Sequence, residues 1–162
     1  RPVKSSVTWT LTTLSSDAMN KLLEEQKSIP GENDKKGVTV KHPGIPYSFG
    51  IGITPALPLP EGDYELNIDL IKETDITGKL KAVRRLEISG EGETAYITSC
   101  DGFKKESGKF IYEGSAKEES FTCEFTVEPA DEANQVIFEA SAEYDVEVER
   151  TRVIPVLEQE TA

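Results

Sequence analysis

A chain of 162 residues, 36% hydrophobic and 30% charged, is long enough to bury a core of its own and short enough to be one domain, read here as a single β domain over 1–162. Thirty acidic residues against 18 basic ones leave a formal charge of −12. That balance excludes nucleic acid and anionic lipid as partners, since both call for a Lys/Arg-rich surface, and the sequence holds no apolar run long enough to span a membrane.

The first strand signal is Val7-Thr8-Trp9-Thr10-Leu11-Thr12, with Val7, Trp9 and Leu11 on one face and threonines on the other. A helix follows. Ser15 or Ser16 supplies its cap, Asp17 sits in its first turn, and Ala18, Met19, Leu22 and Leu23 form an apolar stripe that runs to Gln26. The segment GENDKKG, 31–37, reads as a polar loop. Val38 to Lys41 is a short strand, and His42-Pro43-Gly44-Ile45-Pro46 a rigid connection. Tyr47, Phe49, Ile51 and Ile53 then alternate with Ser48, Gly50 and Gly52. Two glycines opposite an apolar face point to close approach by a neighbouring element, or to a bend.

Pro55, Pro58 and Pro60 forbid a central strand between Thr54 and Pro60. Tyr64, Leu66, Ile68 and Leu70 make the next alternation. Leu80 to Ile88 is a strand whose phase breaks at Val83-Arg84-Arg85, which a bulge or burial on both faces would explain. GEGE, 90–93, reads as a turn, followed by strands at Ala95 to Cys100 and Lys109 to Glu113. In the next strand Phe121, Cys123, Phe125 and Val127 share a face.

The last pattern is the longest. In VIFEASAEYDVEVER, 136–150, Val136, Phe138, Ala140, Ala142, Tyr144, Val146 and Val148 lie on one side. Glu139, Glu143, Asp145, Glu147 and Glu149 form an acidic interaction face on the other. Fully extended, this ribbon would reach about 50 Å, so a bend near Ala140-Ser141-Ala142, or a strand serving two sheets, is expected. Lys79, Lys81, Arg84, Arg85 and Lys109 are the cations expected to offset its carboxylates. Residues 157–162 read as a frayed tail.

These signals predict an all-β fold of about nine or ten strands with one short helix after the first strand. An antiparallel β-sandwich is the first reading and a meander β-barrel the alternative. Cys100 and Cys123 fall in two different strands and are expected to form a disulfide. The chain opens Arg1-Pro2, and its one methionine is Met19. Together these suggest a processed, secreted or extracellular/periplasmic protein whose signal peptide is already removed.

Chemistry is sparse. With a single histidine, His42, any Ser-His or Cys-His nucleophile must use that loop residue. One histidine and two separated cysteines do not make a zinc site. DITGK, 75–79, and PADEAN, 129–134, carry calcium-type oxygens but match no twelve-residue calcium loop. No cofactor is expected. Trp9, Tyr47, Tyr64 and Tyr144 fall on apolar strand faces, so a sugar-stacking platform is not predicted either.

GIPYSFGIGITPALPLPEGDYELNIDL, 44–70, resembles the closing hairpin of secreted lipid-recognition β-sandwiches. That family places the hairpin near its C-terminus and carries further cysteines, and this chain does neither. A helix after strand one also resembles the lid of fatty-acid-binding barrels, which use two helices. The resemblances imply a small apolar ligand, with Leu22, Leu23, Ala56, Leu57 and Leu59 at the mouth of its site. The sequence as a whole favours a non-catalytic extracellular recognition or interaction module with a protein partner, basic in character. The alternative is a carrier of a small, lipid-like ligand.

Overall fold

The computed structural model describes residues 2–41, 45, 47–55, 57–72, 79–116 and 119–147. It is nearly all β. The strands are β1 (Pro2–Thr13), β2 (Gly37–Val40), β3 (Tyr47–Ile53), β4 (Gly62–Lys72), β5 (Lys79–Gly92), β6 (Ala95–Cys100), β7 (Lys104–Glu106), β8 (Lys109–Ala116), β9 (Ser120–Val127) and β10 (Asn134–Glu147). Helix α1 (Ser16–Glu24) follows β1. Residues 157–162, expected to be a frayed tail, lie outside the described residues, as do Glu149 and His42.

All ten strands belong to one antiparallel sheet in the order β1-β10-β5-β6-β9-β4-β3-β2, with β8 also pairing β5 and β7 pairing β8. The sheet folds over on itself and nearly closes, so the barrel alternative describes it best. β5 and β6 meet at a corner, where they share the single register pair Glu91↔Tyr96. At the opposite seam, Thr13 and Leu59 form an isolated parallel bridge. One position at the corner needs glycine: a Cβ on Gly90 would meet the buried Phe138 ring at 2.7 Å. On β3 a Cβ on Gly50 would press only on the end of the exposed Ile71 side chain. Of GEGE, 90–93, the first three residues end β5 and only Glu93 lies in the turn, which falls at Glu93-Thr94.

A simple meander is expected from the short connections, but only β2–β3–β4, β5–β6 and β7–β8 pair with their chain neighbours. β4 to β5, β8 to β9 and β9 to β10 cross between sheet positions. The connections are short enough for either route, and side-chain packing decides. Phe125 on β9 and Phe138 on β10 meet at 5.0 Å between ring centroids across the interior, with Trp9 stacked 5.2 Å from Phe138. Where β8 and β9 do not pair, Phe103, Tyr112 and Phe121 fill the space, with centroids 5.8–5.9 Å apart. Each fully buried ring or aliphatic chain contributes about 1.5–3 kcal/mol relative to exposure.

The period-two reading holds throughout β10, where Val136, Phe138, Ala140, Ala142, Tyr144 and Val146 are all buried. β10 runs twelve residues in unbroken register with β1. Against β5 the register shifts at Glu143/Tyr144 and Asp145/Val146, past the Ala140–Ala142 stretch where a bend is expected. Arg84 is the residue skipped in the first shift, so the β5 phase break is a bulge. Ala82 and Val83 on either side of the reversal are both buried.

Candidate recognition face

The outer face of β1, β10 and β5 is built from the polar half of three alternating strands. β1 contributes Lys4, Ser6 and Thr8, β10 contributes Glu139, Ser141 and Glu143, and β5 contributes Arg85, Glu87 and Ser89. Because Ser6, Thr8, Ser89 and Ser141 are short, the surface dips between the longer side chains. Two adjoining hollows result, of about 230 and 350 Å³, both open to solvent. Lys109 of β8 closes one side of the first.

The acidic residues are not equivalent. Asp145 is half-buried and paired, with Arg84 Nε 2.5 Å from its Oδ2. The bulge turns Arg84 outward and lets it reach across the ladder. Glu147 is exposed and lies in register with Lys79. Glu143 lies in register with Lys4 on one side and Arg85 on the other. Arg85, however, turns to other acids: its Nη2 is 3.0 Å from Glu87 Oε1 and its Nη1 bonds Glu113. These carboxylates hold the Arg85 guanidinium pKa above its ordinary value, with the Glu87 hydrogen bond the largest cause. Glu139 is exposed between Thr8 and Ser89. Cross-strand cations therefore satisfy part of the acidic face, while Glu139 and Glu143 form no ion pair among the described residues.

The proposed ligand mouth is distributed differently. Leu59 is fully buried. Its backbone closes the barrel seam: Leu59 N–H donates to Thr12 O at 3.1 Å, and Leu59 O accepts from Leu14 N–H at 3.0 Å. Leu57 is half-buried, and Ala56 lies outside the described residues. Leu22 is half-buried and Leu23 is 58% exposed, on a helix with no buried residue. The two hollows lie at the surface, while ring side chains occupy the interior.

Helix α1 is held by its ends. Ser15 caps it, accepting from Ala18 N–H at 3.2 Å. Glu61 Oε1 accepts from both Ser16 N–H and Ser16 Oγ at 2.8 Å, and these bonds lower the Glu61 carboxyl pKa. At the far end Gln26 adopts φ 55°. Gln26 N–H then bonds Leu23 O and Lys27 N–H bonds Leu22 O, the paired bonds of a Schellman motif.

The Cys100–Cys123 disulfide is formed, with S–S 2.03 Å, between directly opposed residues of β6 and β9. Among the described residues, no group of three or more His, Cys, Asp or Glu side chains is placed to hold a metal ion, and no helix is long and apolar enough to cross a membrane. The acidic half of the outer face is legible in the sequence of β10, but its hydroxyl floor is not. The Thr-rich outer face of β1 was a visible signal, but its position beside β10 was not. The chain matches no protein-family model, and no curated protein is similar to it.

Proposed function

We propose that this protein is a non-catalytic recognition module that presents the outer face of β1, β10 and β5 to a cationic protein partner. The observation that carries the reading is the hydroxyl-floored depression beside Glu139 and Glu143, two carboxylates left without an ion pair among the described residues. A cation docking there would meet carboxylates already fixed on a continuous strand, which favours fast, salt-sensitive association. The disulfide suits an oxidising compartment and so an extracellular setting. The carrier reading would call for a large apolar interior pocket, and no observation favours it.

Titration with tetralysine, followed by backbone amide NMR shifts, tests this reading. The expected result is a saturable perturbation centred on residues 139–143 that weakens with added salt. Perturbation spread evenly over all surface carboxylates, or none, would overturn it.

A further inference from the structure

Among the described residues, no strand pairs with the edge of β1 that faces away from β10 along most of its length. Thr12 shows its direction. Thr12 N–H donates to Asp34 Oδ2 at 2.8 Å, and Thr12 O accepts from Leu59 N–H at 3.1 Å. Both groups therefore point away from β10. β1 keeps unbroken register with β10 from Pro2 to Thr13, so the alternation of the ladder gives Thr10, Thr8, Ser6 and Lys4 the same outward direction. All four are exposed. Among the described residues, none of their outward N–H and C=O groups has a backbone partner. Across the seam the sheet ends in β2, four residues long against twelve in β1. Asp34 and Leu59 cover the Thr12 end, and among the described residues no backbone pairs with the outward groups of the Lys4–Thr10 stretch.

An unpaired edge of this length is a template for an added strand. The charge beside it indicates which strand. An added strand would lie one strand spacing from β1 and about 10 Å from β10. On the outer face between them stand Ser6, Thr8 and Thr10, too short to block a long side chain on its way to Glu139, and Lys4, which lies beside Glu143 in register. Lysine or arginine at alternate positions of the added strand would lie over these hydroxyls and reach Glu139 and Glu143 from the β1 side. We propose that β1 is the docking edge for an extended, alternately basic segment of a partner protein, which pairs with the backbone of Lys4, Ser6, Thr8 and Thr10 and places its cations on Glu139 and Glu143. The proposal rests on the reading of the outer face given above and adds how the partner is held.

The test uses an eight-residue peptide with lysine at alternate positions and threonine between them, alongside the same peptide N-methylated on alternate amides. Hydrogen exchange is read at Lys4, Ser6, Thr8 and Thr10. In the free protein these amides exchange fast. At a peptide concentration of 100 times Kd, exchange slows about 100-fold, the N-methylated peptide gives no such protection, and Glu139→Gln with Glu143→Gln weakens binding. Thr8→Pro, which removes one outward donor at an edge position that tolerates proline, also weakens binding while leaving the β1–β10 ladder protected. Slow exchange at these amides in the free protein would overturn the proposal, as would equal binding of both peptides. If both peptides perturb residues 139–143 equally without protecting the amides, the edge proposal fails and the face reading stands. If neither binds, both fail.

Discussion

The Tyr47 hydroxyl accepts the backbone N–H of Leu80 at 2.8 Å, joining β3 to β5 across the interior. The Tyr144 hydroxyl in turn donates to the Tyr47 carbonyl at 3.2 Å, and the two rings pack edge to face at 6.1 Å. This small polar chain ties the two sides of the barrel together at the end away from the Phe125–Phe138 contact.

Tyr47→Phe keeps the ring and removes the acceptor, leaving the Leu80 N–H buried without its partner. The expected loss is about 1–3 kcal/mol, read as a lower urea midpoint at unchanged slope. An unchanged midpoint would show that the N–H finds another acceptor.

Burial raises the pKa of both Tyr47 and Tyr144 above 10.0. A raised acid pKa in the folded state leaves stability intact below the unfolded value and removes it as pH rises toward the folded one. The protein should therefore be indifferent to these groups at neutral pH and lose stability above about pH 10. Phenolate absorbance at 295 nm should develop in two stages, the second coinciding with loss of circular dichroism. A single stage complete before unfolding would contradict the burial of these hydroxyls.

The disulfide joins opposed residues of β6 and β9 and closes a separation of 23 residues. Replacing both cysteines with alanine should lower stability by about 3 kcal/mol in the chain-entropy description, seen in urea unfolding. Cys123 is almost wholly buried and Cys100 nearly so, so the truncation itself adds to the loss. A loss below about 1 kcal/mol would mean that the ladder already restrains this loop in the unfolded chain.

Glu61 holds the start of α1 through Ser16, and its carboxyl pKa is lowered below 4.5, first by the Ser16 N–H bond and then by the Ser16 hydroxyl. For a lowered pKa, the contribution is present above the unfolded value and lost as pH falls through the folded one. Helix protection at Ser16 should therefore weaken below about pH 4, and Glu61→Gln should remove that pH dependence. Hydrogen exchange at Ser16 and Ala18 checks it. A variant that retains the acid dependence would assign it to another group.

The strands were legible because alternation carries their burial. Every even-numbered position of β10 from Val136 to Val146 is buried, while Ile137 on the other face is exposed, and the phase break at Arg84 is a true bulge. Pairing was not legible. β1 joins β10 from the other end of the chain, and nothing local in Val7–Thr12 or Val136–Val146 names the partner. The acidic stripe could be read from β10 alone. Its hydroxyl floor needed three strands side by side. Leu59 had the composition of a rim residue, but its backbone bonds to Thr12 and Leu14 draw it into the core. Which cation meets which carboxylate also escaped local reading, since Arg85 faces Glu143 in register yet bonds Glu87 and Glu113.

The most direct measurement is calorimetric binding of tetralysine to the intact protein and to the Glu139→Gln/Glu143→Gln variant at low and physiological salt. The account predicts that the variant binds about tenfold more weakly at low salt, a difference of about 1.4 kcal/mol, and that the gap narrows as salt rises. Equal affinity for the two proteins would show that the outer face of β1, β10 and β5 is an ordinary solvated surface and would contradict its role in recognition.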